Sequence, residues 1–487
     1  MDRWSSDPPP PDRLGRTWLS NVRLPPEGQP GLLGPAGSAG QGRAGRAGRG
    51  AAGAGGAGGA GRQRDPEQRW RVAIDRNGRI AALHPLPRGS RSAGDDWGGD
   101  WLSPAGVDLQ INGGLGLAFP ELTPADLPRL EQLLELLWRD GVEAICPTLV
   151  TCGVEPLRQA LAVLRQARQA HRPGRCRLLG AHLEGPFLAA ARRGAHPLEH
   201  LAAPSLEALE ERIAGFHGPA EVGPWAESLS GAGPGAADAP ALDSWAAPDA
   251  ATPPQDGVPA QAPPPDGPAG AVAADIALVT LAPELEGAAA VIDALNRRGV
   301  LVSLGHSQAD EAQAAASFKA GVRLLTHTFN AMAGLGHRAP GPIAAALARR
   351  DVGLGLIADG VHVAPSMAVL LQRLAPDRVL LVSDALAPYG LAEGRHRWDN
   401  RTLLVENGSC RLEDGTLAGV TLPLLEGARR LARWSGRPDW AIAAATVLPR
   451  RALGEWRPLP SLLLGRPLAD CLRWRNGGGG LLWRRAA

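Results

Sequence analysis

The chain has 487 residues, 44% apolar and 21% charged, with a formal net charge of +2. It is long enough for one large domain plus a smaller one, and its charge balance gives no argument for nucleic acid or an anionic membrane as partner. The five cysteines, Cys146, Cys152, Cys176, Cys410 and Cys471, are odd in number, scattered, and contain no C-x-x-C pair; this argues against a disulfide framework or structural zinc site and for a reducing cytoplasm. The opening MDRWSSDPPPPDRLG has no apolar signal core, and no window supplies the ~18 uninterrupted apolar residues of a membrane span. A soluble cytoplasmic protein is expected. Lys319 is the single lysine, a coding bias with no functional meaning.

In chain order, residues 28–64, containing GRAGRAGRGAAGAGGAGGAG, lack periodicity and read as a disordered insertion. Its Gly-Arg units leave weak RNA binding as a minority reading. WRVAIDRNGRIAALHPLP, Trp70–Pro87, alternates like a strand on both sides of Asn77-Gly78 and predicts a β-hairpin. Short apolar runs then recur at Gly106–Ile111, Ala144–Val150, Leu178–Leu183, Ala277–Leu281, Val300–Leu304, Leu324–Thr326, Val352–Ile357 and Val379–Val382. Helical patterns follow most of them, at Pro124–Arg139 with Thr123 as N-cap, Pro156–Ala170, Leu206–Ile213, Glu284–Arg298, Gln308–Ala320, Pro342–Arg349 and Pro365–Leu374. A second low-complexity insertion, residues 217–271, separates the third and fourth strands. Leu462–Leu464, Ala469–Trp474 and Leu481–Trp483 read as strands.

Eight strands alternating with helices predict an α/β fold, a (β/α)8 TIM-type barrel at residues 104–455. An open doubly wound sheet is the alternative, but no G-x-G-x-x-G with a following acidic residue supports it. The segments 14–103 and 456–487 form a small β-sandwich domain built from both chain ends.

A barrel requires its chemistry where strands end. Gln110 and Asn112 follow the first strand, Thr148 the second, Glu184 the third, His306 the fifth, His327 and Asn330 the sixth, Asp359 and His362 the seventh, and Asp384 the eighth. Glu184, His306 and His327 supply one carboxylate and two imidazoles, a set suited to a divalent ion such as zinc with one coordination position left for water. Buried hydrogen-bonded core is the bland reading of each residue alone. Asp384, in VSDALAP, is the candidate for proton transfer. Asp359, in IADGVHV, opens an Asp-Gly turn and suits a positioning role. His196, Asn330, Ala331, His337, Arg338 and His362 face a ligand if their loops do, and Arg338 suits an anionic one.

The stretches GVDLQINGG, PTLVT, HLEGPF, GAHP, VTLAPE, LGHS, THTFNAM, HRAPG, IADGVHV, LVSDALAP and DGTLAG occur in the order found in the N-acetylglucosamine-6-phosphate deacetylases of the amidohydrolase superfamily, which the chain resembles from about Trp18 to Gly454. The resemblance implies metal-dependent release of acetate from a phosphorylated amino sugar, in a homodimer whose partner subunit helps complete the pocket. By motif, Glu184, His306 and His327 match metal ligands and Asp384 the catalytic acid/base, with His196 stabilising the oxyanion. Ala195, His196, Asn330, Ala331, Arg338, Asp359, Gly360, Val361, His362, Leu417, Ala418 and Gly419 match substrate contacts, Arg338 for the phosphate. Gln110 and Asn112 stand where many superfamily members carry His-x-His, so one metal ion per subunit, Zn2+, is expected. Ala339 and Val420 depart from the usual Glu and Ser. Another amide hydrolase of the superfamily, or an inactive barrel serving as a binding protein, are the competing readings.

Overall fold

The computed structural model describes residues 15–28, 67–90, 94–219, 274–399 and 401–487. Most of each low-complexity segment, and with it the expected disorder and the RNA reading, lies outside the described residues. Eight strands form the barrel of the central sheet, to which the two-residue strand Arg177–Leu178 adds a ninth: β1 (Gly106–Ile111), β2 (Val142–Val150), β3 (Ala181–Glu184), β4 (Ile276–Leu281), β5 (Leu301–Leu304), β6 (Leu324–Leu325), β7 (Gly353–Leu356) and β8 (Val379–Leu381). Each pairs in parallel with the next. Between β1 and β8 the barrel is closed by backbone bonds just beyond β8: Asp384 N donates to Gln110 O at 2.9 Å and Asn112 N to Ala385 O at 2.7 Å. The Asp108 carboxylate reinforces this seam, accepting from Ser383 N at 3.1 Å and Gln110 N at 3.2 Å. Parallel strands covered on both faces explain why the runs are apolar without alternation.

Helices that pack around the sheet include α1 (Leu127–Arg139), α2 (Val154–Gln169), α3 (Leu206–Ile213), α4 (Ala288–Arg297), α5 (Glu311–Lys319), α6 (Gly341–Leu347), α7 (Pro365–Leu374) and α8 (Leu424–Ser435), and Pro438–Thr446 and Leu448–Ala452 follow. In α1 the buried residues are Leu130, Leu133, Leu134 and Leu137, one stripe at helical spacing against the barrel. Thr123 caps not α1 but the 3-10 turn Pro124–Asp126 that leads into it: the Asp126 carboxylate accepts from Thr123 N at 3.0 Å and Oγ1 at 2.8 Å.

Three local expectations change. The predicted strand Leu178–Leu183 is two pieces, Arg177–Leu178 and β3, because Gly180 sits at φ 124° where a Cβ would lie 2.9 Å from Ala274 O. Leu462–Leu464 is not a strand: Leu459–Leu463 is helical, a short apolar run whose periodicity decides nothing while Pro460 sits comfortably in a first helical turn. Residues 394–420 were given no elements, yet four antiparallel strands, Gly394–Trp398, Arg401–Glu406, Ser409–Leu412 and Leu417–Val420, form a meander.

Outside the barrel lie two small sheets. Thr17–Val22, Arg69–Ile74, Ile80–Leu86 and Asp95–Asp96 form one, and Trp101–Pro104, Cys471–Gly477 and Gly480–Arg485 the other. They share a core in which Val72, Ile80 and Trp97 meet Leu102, Leu463 and Cys471, so both chain ends contribute to one small β-domain. Among the described residues no helix is long and apolar enough to cross a membrane.

Candidate active site

The strands end in backbone that L-residues rarely adopt. His306, His327 and Asp384 have φ of 48°, 27° and 52°. Such left-handed non-glycine residues carry a local cost and concentrate at functional sites. Neighbouring glycines make room: a Cβ on Gly185 would lie 2.1 Å from Thr151 Oγ1, and one on Gly305 would lie 2.7 Å from side-chain atoms of Thr280 and Thr326.

Glu184, His306 and His327 converge. Glu184 Oε1 lies 3.2 Å from His306 Nε2 and 3.1 Å from His327 Nε2, and the two nitrogens are 3.0 Å apart. All three residues are buried. His306 Nδ1 donates to Arg192 O at 2.8 Å, which leaves its Nε2 as a lone pair facing the triangle. With both imidazoles neutral, as metal ligands must be, only His327 Nε2 can then carry a hydrogen, and it can serve only one neighbour. A cation satisfies all three donor atoms at once. The triangle also fits in size, since a tetrahedral ion with bonds of about 2.0–2.1 Å spaces its ligand atoms about 3.3–3.4 Å apart.

Asp384 sits beside the triangle, held by amides. Gln110 Nε2 lies 3.1 Å from both Glu184 Oε1 and Asp384 Oδ1, and Asn112 Nδ2 donates to Asp384 Oδ1 at 2.8 Å. Burial, and then the charge of Glu184, pushes the Asp384 carboxyl up to about 6, which suits a group that must both take and return a proton. Gln110 and Asn112, at the end of the first strand, thus hold this carboxylate in place.

A cavity of about 300 Å3 opens over these groups. Ala195, His196, Asn330, Ala331, His362, Leu417 and Ala418 line it, as do Asn112, Glu184, His306, His327 and Asp384. His196 is held at Nδ1 by Thr151 Oγ1 at 3.0 Å, which leaves Nε2 for the cavity. Burial, and then His306, lowers its pKa to about 3, so it faces a ligand as neutral imidazole. Asp359 accepts from Val361 N at 2.9 Å, His362 N at 2.8 Å and His362 Nδ1 at 2.7 Å; with Gly360 and Val361 it forms the turn that presents His362. These three, Gly419 and Arg338 do not line the cavity, and Arg338 is exposed on the loop after β6.

Sequence reasoning missed Arg192 and Trp398, both in the cavity wall. Trp398 belongs to the meander, whose Asn407-Gly408 and Asp414-Gly415 dipeptides between apolar runs were the available signal. It also passed over a buried polar belt beside the Glu184–His306–His327 triangle. His182 Nδ1 meets Thr148 Oγ1 at 3.1 Å and its Nε2 meets Thr280 Oγ1 at 2.8 Å. Thr280 continues to Thr326 at 2.7 Å, and Thr326 to Ser303 at 2.5 Å. The belt ties β2 through β6 at one level and explains the polar residues one step inside the strand ends.

No family model matches the chain. The N-acetylglucosamine-6-phosphate deacetylase of Bos taurus is 30% identical over 390 residues, 78% of this chain and 81% of that protein. The N-acetylgalactosamine-6-phosphate deacetylase of Escherichia coli O157:H7 is 30% identical over 393 residues, 80% of this chain and 87% of that one. Among solved structures, N-acetylglucosamine-6-phosphate deacetylase from Thermotoga maritima superposes with a TM-score of 0.61 at 25% identity, covering 83% of this chain and 90% of its own. The Mycobacterium smegmatis enzyme in complex with N-acetyl-D-glucosamine-6-phosphate does so with 0.58 at 25%, covering 81% and 92%. With its barrel, its site and these relatives together, the chain belongs to the N-acetylglucosamine-6-phosphate deacetylase family.

Proposed function

We propose that the chain hydrolyses the acetamide of N-acetylglucosamine 6-phosphate, giving glucosamine 6-phosphate and acetate, with one Zn2+ held by Glu184, His306 and His327 and with Asp384 as the proton-transfer group. The observation that carries this reading is the convergence of three buried donor atoms that cannot all be satisfied by hydrogen, with a separate carboxylate fixed alongside. Bound there, the ion supplies Lewis-acid polarisation of the acetamide carbonyl and a lowered pKa for water at its open position. Asp384 takes a proton from the attacking water and returns it to the nitrogen as acetate departs. Neutral His196 donates from Nε2 to the carbonyl oxygen as negative charge develops. Asp359 orients His362 toward the sugar, and Asn330, Ala331, Leu417 and Ala418 shape its walls.

For the phosphate, the reading is Arg338. It is exposed, lies outside the cavity wall, and has no ion pair among the described residues; this supports a homodimer in which it serves the cavity of the partner subunit. A cytoplasmic setting suits five free cysteines. The similarity to an N-acetylgalactosamine-6-phosphate deacetylase favours a second reading in which the C4 epimer is the substrate or a co-substrate.

The test is acetate release by purified protein from both N-acetylhexosamine 6-phosphates, with metal content measured in parallel. Turnover abolished by chelator and restored by Zn2+ is expected. Full turnover by metal-free protein rules out the ion, and a metal-free protein that cannot be activated makes the barrel a binding protein.

A further inference from the structure

The stretch VTLAPE, residues 279–284, runs out of β4 and ends at Glu284, which does not line the cavity. Its carboxylate nevertheless grips the turn that carries His306. Oε2 accepts from Ser307 Oγ at 2.7 Å and Oε1 from Gln308 N at 2.6 Å, both as short as charge-assisted bonds are. The grip also fixes the hydroxyl: with its hydrogen turned toward Glu284, Ser307 Oγ offers a lone pair to Ala309 N at 3.0 Å.

That turn needs holding. His306 sits at φ 48°, and Ala331, whose carbonyl accepts from Ser307 N at 3.1 Å, sits at 53°. Residues other than glycine persist in this region only where their surroundings over-determine them. On the β3 side His306 is fastened to backbone: its carbonyl accepts from Ala189 N at 2.9 Å and its Nδ1 donates to Arg192 O at 2.8 Å. On the β4 side Gly305 N donates to Leu281 O at 3.2 Å, and Glu284 adds a side-chain clamp one and two residues beyond the imidazole. We propose that Glu284 is a positioning residue for the metal centre: it locks the His306 turn so that Nε2 meets Glu184 and His327, and through Ser307 N it sets Ala331 in the cavity wall. The inference rests on Glu184, His306 and His327 being the ligand set.

The experiment needs no substrate. Zn2+ affinity is measured by competition with a chromophoric chelator, and the visible absorption of bound Co2+ is recorded, for full-length wild type, Glu284→Ala and Glu284→Gln. Circular dichroism of the metal-free proteins at the same temperature gives the folded fraction. Glu284→Ala is expected to raise the Kd for Zn2+ about 10–100-fold, the usual effect of removing a group that orients a ligand, and to alter the Co2+ spectrum while remaining folded. Glu284→Gln keeps a carbonyl oxygen for Gln308 N and a polar partner for Ser307 Oγ, so it is expected to stay close to wild type in both. Wild type that binds no Zn2+ defeats the metal-centre reading itself. Wild type that binds it while Glu284→Ala binds it equally well overturns the present proposal alone. So does a loss in Glu284→Gln as large as that in Glu284→Ala, since charge rather than the clamp would then act, and so does a loss that only follows a fall in folded protein.

Discussion

At the residue scale the site is defined by what each polar atom lacks. Glu184, His306 and His327 lack hydrogens to share, whereas Asp384 has amide donors and no cation of its own. Asp384→Asn keeps the shape and removes the base; kcat is expected to fall about 10²–10⁴-fold with bound metal unchanged, measured by steady-state kinetics beside metal analysis. Arg338→Ala is expected to raise KM for the phosphorylated sugar and leave the unphosphorylated one unaffected. Equal loss on both would contradict a phosphate role. The residue types in this centre were legible because ionisable side chains at successive strand ends are hard to explain as core. Gln110 and Asn112 were legible only as missing imidazoles; their hold on Asp384 needs β1 and β8 to be neighbours, which nothing local encodes.

Elements succeed here where periodicity is unambiguous. The hairpin across Asn77-Gly78, the amphipathic α1 and α7 at Pro365–Leu374 follow directly from turn chemistry and spacing. The short run at Leu459–Leu463 and the meander of residues 394–420 do not, since their sides are settled by what covers them. Trp398 reaches the cavity wall only because the meander folds back over the barrel mouth. The polar belt gives a test at this scale. Thr280→Val preserves volume but strips His182 Nε2 and Thr326 Oγ1 of a partner, at an expected cost of about 1–3 kcal/mol in urea unfolding. A cost near zero would show that the belt adds nothing to holding β3, β4 and β6 together.

For the whole molecule, the barrel and the C-terminal segment are joined through Glu143 at the start of β2. It is buried and meets Arg450 at 2.5 Å, Arg466 at 2.8 Å and Arg177 at 3.4 Å. Burial pushes its carboxyl up, but the three guanidiniums outweigh that and depress it below its usual value of 4.5. The unfolded chain therefore binds the proton more readily, so this cluster contributes stability that is full above about pH 4.5 and drains away as pH falls further. Glu143→Gln is expected to cost about 3–5 kcal/mol at pH 7, because it leaves buried cations unpaired. The difference from wild type should shrink in acid; urea midpoints between pH 3 and pH 7 check both statements, and a difference that does not change with pH would contradict them.

By itself the amino-acid order determined the alternation of strand and helix, the strand ends that carry chemistry, and hence the barrel and the residue types in its mouth, because these depend on spacing within a few residues. Only the tertiary structure decided which side chains touch. It brought Glu184, His306 and His327 within hydrogen-bond distance of one another, set two amides on Asp384, left Arg338 outside the cavity wall and folded the meander over the mouth. Each of those contacts joins residues from different elements, where closure of the sheet and burial, rather than local propensity, set the distance.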